Sequence, residues 1–196
     1  MILNLACGAV RPQSPEWVNL DNLLPVLKEG TPERANLMVE PNYVEHDVLA
    51  APLPFPDGHF DGVLCSHFLE HLECHKAIEV MRECRRVLKT GGVLLVSVPD
   101  ASYFRSVYGL DTPENAVKLF GEPIYEPDGE KTFTGYALWY SQHKVLFTAD
   151  VLWHYFKRAG FEVCGDSLPL EQAEVIHKMS EHLNRKQFSL IMAGSK

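Results

Sequence analysis

Two acids and a small-residue turn carry the first chemical signal in the chain. Ile2-Leu3-Asn4-Leu5 is a short apolar run that passes into Ala6-Cys7-Gly8, and the next apolar run, Trp17-Val18-Asn19-Leu20, ends on Asp21. A strand, a tight turn and a second strand tipped with a carboxylate are the parts of a nucleotide-binding edge in an open α/β sheet. A second acid, Asp47, closes the short run Tyr43-Val44-Glu45-His46. Histidines form the other signal. His67, His71 and His75 stand at i, i+4 and i+8, and two histidines at i, i+4 on one helix face can hold zinc. HExxH is absent, however, and a break is expected near Glu73-Cys74, so no metal site is expected. His71 and Glu70 are expected to anchor a short helix by hydrogen bonds, with His67 facing the active site. His143 reads either as a polar residue satisfied under a loop or as a general base or substrate contact.

These residues need a sheet to hold them. The pattern predicts strands at 2–5, 17–21, 43–46, 60–65, 93–98, 161–164 and 188–193. Val93-Leu94-Leu95-Val96-Ser97-Val98 is continuous enough for a strand buried on both faces of a parallel sheet. Between the strands, Thr31-Pro32-Glu33 starts a helix over 32–39, and Ser66 caps a short one. Apolar positions Ala77, Val80, Met81, Cys84, Val87 and Leu88 mark a helix over 75–88, ended by Gly91-Gly92. Thr148 caps a helix that Gly160 stops, and residues 170–183 read as helical. Pro12 and Pro15 leave the first crossover short. The expected fold is α/β, a doubly wound Rossmann-like, mostly parallel seven-stranded sheet with an antiparallel edge strand. Residues 1–196 form one domain, and about 101–143 is an inserted lid or substrate segment, too long for an ordinary connection. It holds a helix after Thr112-Pro113-Glu114, and Tyr136, Trp139 and Tyr140 as packing or pocket aromatics.

Composition bounds the partners. With 46% hydrophobic and 22% charged residues the chain can bury a core. A formal net charge of −8 without a basic block argues against an extended nucleic-acid partner. No apolar run approaches membrane-spanning length, and the N-terminus lacks a basic signal-peptide region. Five scattered cysteines without a CxxC pair (Cys7, Cys65, Cys74, Cys84 and Cys164) suit buried free thiols and a cytoplasmic setting.

Four segments, in this order and spacing, resemble the class I S-adenosylmethionine-dependent methyltransferases, in particular the methyltransferase domain type 11 group. They are Leu3-Asn4-Leu5-Ala6-Cys7-Gly8; Val18-Asn19-Leu20-Asp21; His46-Asp47-Val48 with Leu53-Pro54-Phe55 and Phe60-Asp61; and Cys84-Arg85-Arg86-Val87-Leu88-Lys89-Thr90-Gly91-Gly92. Ser66-His67-Phe68-Leu69-Glu70-His71-Leu72 adds to the likeness, which runs from Ile2 to about Pro99 and returns weakly over 142–196. The resemblance implies S-adenosyl-L-methionine as cofactor and S-adenosyl-L-homocysteine as product. It sets the turn from Asn4 through Ala6 and Cys7 to Gly8 against the methionyl part, and Asp21, with Asn22 beside it, at the ribose. Asp47 and the Val48 backbone are implied at the adenine, and Ser66 and His67 near the transferred methyl. The family usually has an acid at Asn4, Gly at Ala6 and often Gly at Val10; if Ala6 must take φ > 0 it is strained.

The expected activity is methyl transfer to O or N of a small-molecule acceptor, with His67 or His143 as base where the acceptor starts protonated. The alternative is an adenosyl-cofactor-binding or interaction module without catalysis. Ala6, the short first crossover and the lack of the helix that often precedes the first strand motivate it. A dehydrogenase is a weaker third reading, since GxGxxG is absent.

Overall fold

The computed structural model describes residues 1–50, 52–103, 143–163, 169–183 and 189–196. Its sheet contains β1 (Ile2–Leu5), β2 (Trp17–Asp21), β3 (Tyr43–Glu45), β4 (Phe60–Ser66), β5 (Leu88–Pro99), β6 (Glu162–Val163) and β7 (Ser189–Ser195). They lie in the order β3-β2-β1-β4-β5-β7-β6. The pairs β1–β2, β1–β4, β2–β3 and β4–β5 are parallel, and β7 runs antiparallel to both β5 and β6. The sheet is therefore mixed but mostly parallel.

The expected antiparallel edge is present as the pairing of β6 with β7. The strand reversed against the rest of the sheet is β7, however, and it is internal; the edge beyond it is β6. β7 matches β5 from Val93 to Pro99, and Glu162 and Val163 of β6 pair beyond it with Ser195 and Gly194.

Helices α1 (Pro32–Met38), α2 (Cys74–Val87), α3 (Ala149–Ala159) and α4 (Leu170–Ser180) flank the sheet. Their ends follow the local chemistry. Thr31 accepts from the Arg34 N–H and Thr148 from the Val151 N–H, and Gly160 ends α3 at φ 90. Alternate strand residues feed two cores. Leu3, Leu5, Val63 and Leu94 join Met81 and Phe156 of α2 and α3, while Ile2, Leu64 and Leu95 join Trp17 and Met179 of α4. A Cβ at Gly62 would stand 2.6 Å from Val175 Cγ1, so the missing side chain is what lets α4 lie against β4.

Several expected boundaries differ by a few residues, and two differences have a physical reason. Gly91-Gly92 does not end α2. The helix stops at Val87, and Leu88 already pairs with Phe60, because its side chain is fully buried where the strand begins. Lys89–Gly92 then bulge out before the register resumes at Gly62–Val93. Nor does Ser66 cap a helix: only a single 3-10 turn forms, Leu69–His71, without a side-chain cap. The expected segment at 101–143 falls outside the described residues except for 101–103 and His143, and so do its helix after Thr112, its aromatics Tyr136, Trp139 and Tyr140, and Cys164. Among the described residues no helix is long and apolar enough to cross a membrane.

Candidate functional site

Strand register collects the singled-out residues along one edge. Leu5 pairs with Leu20 on one side and Cys65 on the other, Asp21 pairs with Glu45, and Ser66 with Ser97. The turn at 6–8, Asp21, residues 46–48 and Ser66-His67 therefore all follow the carboxyl ends of parallel strands. From β1 the chain builds outward to β2 and β3 on one side, then to β4 and β5 on the other. Such a switch point opens a crevice beyond the strand ends.

The turn after β1 is left-handed at two places, Ala6 (φ 52) and Gly8 (φ 53). For Ala this conformation costs about 1–2 kcal/mol. It is enforced from β2: the Cys7 N–H donates to Leu20 O at 3.2 Å, and the Gly8 N–H to Asp21 Oδ2 at 2.8 Å. The other oxygen, Oδ1, accepts the Asn22 N–H at 2.8 Å. Each oxygen of a carboxylate can accept twice, so each keeps a lone pair for a further donor. Among the described residues, a Cβ built on Gly8 would meet nothing within 4 Å, so none of them covers the turn at that point. Arg11 closes the back of the loop, donating from Nη1 to Gly8 O at 2.6 Å and pairing through Nε with Glu40 at 3.1 Å. Burial, reinforced by the Asp21 charge, pushes the Cys7 thiol up to about 12, so it stays protonated and is no nucleophile.

Asn4 does a different job from its neighbours. It is buried, and its amide nitrogen donates to Val10 O at 2.7 Å and Asn19 Oδ1 at 3.0 Å. Asn19 in turn donates to Pro12 O at 3.0 Å. A carboxylate at position 4 would set an acceptor against the Val10 carbonyl, so an amide at this position goes with the path of the loop.

Beyond β3, Asp47 is exposed; its Oδ1 accepts the Leu49 N–H at 2.9 Å and forms a turn over the buried Val48. Among the described residues nothing accepts the Val48 N–H. Two residues escaped the sequence reading. Tyr43 Oη lies 2.6 Å from Glu45 Oε2 and 2.9 Å from Asp21 O, and accepts the Leu23 N–H at 3.2 Å. The Leu24 N–H donates to the Glu45 carboxylate at 3.1 Å. Together they pin the chain just after Asp21. Their i, i+2 spacing on a strand, which sets both on one face, was the available signal.

At the end of β4, His67 is also left-handed (φ 54), with its N–H donated to Ser97 O at 2.8 Å. Its Nε2 lies 2.9 Å from Ser189 Oγ and its Nδ1 3.3 Å from Glu70 Oε1. Glu70 is buried, with His71 Nε2 at 4.0 Å. The His71 and His143 rings meet edge to face at 4.8 Å. The Lys144 N–H donates to Glu70 O at 2.7 Å, docking the segment that starts at His143 onto the 3-10 turn. His67 and His143 thus come to the same buried carboxylate. His75 does not: Leu72 is extended (φ −103, ψ 149), which breaks the helix before α2, and His75 pairs with exposed Glu73.

A family model for a methyltransferase domain matches residues 18–96. A probable S-adenosylmethionine-dependent methyltransferase of Mycolicibacterium smegmatis is 43% identical over 65 residues, 33% of this chain and 24% of that protein. An uncharacterized protein of Methanocaldococcus jannaschii is 38% identical over 85 residues, 40% of this chain and 34% of that one. The chain thus spans about a quarter to a third of the length of these curated relatives. Among solved structures, a methyltransferase of Methanosarcina mazei superposes with a TM-score of 0.55 at 15% identity, covering 100% of this chain and 91% of that one. One of Mesorhizobium loti gives 0.54 at 17%, covering 100% and 90%. The [4+2]-cyclase SpnF gives 0.50 at 18%, covering 100% and 74%. At these identities the likeness is one of fold.

Proposed function

We propose that this chain, which has the class I S-adenosylmethionine-dependent methyltransferase fold, transfers a methyl group to an oxygen or nitrogen of a small-molecule acceptor. One observation carries the reading: Asp21 keeps a lone pair on each oxygen beside a Gly8 turn that none of the described residues covers. A ribose presents two neighbouring hydroxyls, and a carboxylate takes both. The edge of adenine offers a donor and an acceptor, which suit the Asp47 carboxylate and the Val48 N–H. Asn22 flanks the ribose end. The backbone of Ala6, Cys7 and Gly8 borders the methionyl end, with Asn4 holding that loop from behind, and Ser66 and His67 border the methyl.

S-adenosylmethionine supplies a methyl already activated on a sulfonium, so what remains for the protein is alignment and, for a protonated acceptor, proton removal. His67 has the geometry of a base: one ring nitrogen lies 3.3 Å from the buried Glu70 carboxylate, and the other lies at Ser189 Oγ. A small shift of Ser189 would open that nitrogen to an acceptor. His143 is the second candidate base.

A second reading, cofactor binding without methyl transfer, is supported by the strained Ala6 and by the shared fold of a [4+2]-cyclase. Methyl-labelled S-adenosylmethionine with a panel of phenols, alcohols and amines separates the two. Label transfer that falls in His67→Ala supports the first. Tight cofactor binding with no transfer to any acceptor supports the second.

A further inference from the structure

The least explained group in the molecule is the Glu70 carboxylate. It is 1% exposed, and among the described residues neither of its oxygens receives a hydrogen bond. A carboxylate withdrawn from water in this way is strongly unfavourable unless a positive partner faces it. Its nearest neighbours are His67 Nδ1 at 3.3 Å and His71 Nε2 at 4.0 Å. One ligand atom each from Glu70, His71 and His143 lie within 4.8 Å of one another. We infer that Glu70, His71 and His143 form a binding site for a divalent first-row transition metal of the zinc or manganese type.

The donor set argues for that class of ion. One carboxylate and two imidazoles suit zinc, manganese or cobalt, whereas calcium and magnesium prefer all-oxygen shells. Ligand atoms around a tetrahedral ion at about 2.0–2.1 Å stand roughly 3.3 Å apart, so separations that now reach 4.8 Å must close by up to about 1.5 Å. His71 has room for that movement, since its side chain is half-exposed. The backbone needs none. Glu70 O accepts the N–H groups of Lys144 and Val145 at 2.7 and 3.3 Å, which holds the turn carrying Glu70 and His71 against the segment that begins at His143. His67 Nδ1 remains beside the carboxylate and can orient it, as groups behind a metal ligand commonly do.

The sequence expectation of no metal turned on His67, His71 and His75; the assembled cluster takes only His71 from that row. Three protein ligands leave a coordination position for water or for an oxygen of the acceptor. That last role rests on the methyltransferase reading, whereas ion binding does not. His143 is then a ligand, and His67 is the base.

The test uses the full chain after chelator treatment, without cofactor. Co²⁺ is titrated while its visible d–d bands are followed, and Zn²⁺ is titrated by calorimetry. The expected result is one ion per chain with a dissociation constant below about 100 µM, Zn²⁺ displacing Co²⁺, and a raised melting temperature. Glu70→Gln and His143→Ala should each weaken binding roughly tenfold or more, while His75→Ala, outside the cluster, leaves it unchanged. If Glu70→Gln fails to fold, His143→Ala and His71→Ala decide the matter. Absence of one-to-one binding, equal affinity in the ligand variants, or a response to Mg²⁺ alone would overturn the site. Calorimetry with S-adenosylhomocysteine on the chelated chain keeps the proposals apart: cofactor binding without metal binding sinks only the metal site, and the reverse sinks only the cofactor reading.

Discussion

Replacing Asp21 by alanine separates two jobs done by one carboxylate. In the ligand-free chain it accepts the Gly8 and Asn22 N–H groups, each at 2.8 Å, and so holds the left-handed turn after β1. Each such bond to a half-buried carboxylate contributes about 1 kcal/mol net, so Asp21→Ala should cost about 2 kcal/mol of stability. For a chain of this size that lowers the melting temperature by roughly 4–8 °C. The second job is to take two ribose hydroxyls. Losing both hydrogen bonds to a charged acceptor removes about 2–3 kcal/mol, or roughly 30- to 150-fold in affinity. Asp21→Asn has one acceptor oxygen and must turn its NH₂ toward one of the two backbone donors, so it should melt between wild type and Asp21→Ala while binding almost as poorly as the latter. Thermal melts without ligand and calorimetry with S-adenosylhomocysteine read the two effects independently. A variant that melts lower but binds the ligand like wild type refutes the ribose assignment. Unchanged melting refutes the described hydrogen bonds.

Ala6→Gly relieves a left-handed alanine worth about 1–2 kcal/mol and gives back roughly 0.5–1 kcal/mol in chain entropy. The variant should therefore melt at the same temperature or slightly higher, with cofactor affinity undiminished, and a clear fall in melting temperature would contradict the φ of 52. Gly62→Val would drive a side chain into Val175, 2.6 Å from the built Cβ, and should cost about 1–3 kcal/mol in a urea melt. The Glu83 carboxyl is held below the usual range chiefly by the Arg86 guanidinium, against an opposing contribution from burial. Its folded value lies below its unfolded one, so the stabilisation is complete above about pH 4.3 and fades as pH falls through the lowered value. Arg86→Met should therefore be least different from wild type in acid. The gap does not vanish, because Arg86 also donates to Leu53 O and Phe55 O at 3.0 and 2.9 Å.

Periodicity located the central sheet well because β1, Val63–Cys65 of β4 and Val93–Val98 of β5 are buried on both faces and read as short, mainly apolar runs. It could not order the last strands, since pairing of β7 with β5 is a long-range choice that local pattern does not encode. It also misread Gly91-Gly92 as a helix stop. Those glycines belong to a bulge, and only the pairing of Leu88 with Phe60 reveals it. At the candidate site, Asp21 stood out in the sequence as an acid ending a strand beside a small-residue turn, whereas its hold on the Gly8 and Asn22 N–H groups shows only in the fold. The buried state of Glu70 was not legible, since it depends on His143, 73 residues along the chain, coming back to the 3-10 turn. Tyr43 and Glu45 looked like ordinary strand residues; their role appears only when the loop after Asp21 is seen to hang from them.

Calorimetry of the unmodified chain with S-adenosylhomocysteine reads directly whether the edge around Gly8 and Asp21 holds an adenosyl group. One site per chain is expected, with a dissociation constant in the micromolar range. Absence of binding by S-adenosylhomocysteine and S-adenosylmethionine at about 1 mM, a threshold worth about 4 kcal/mol, would contradict it.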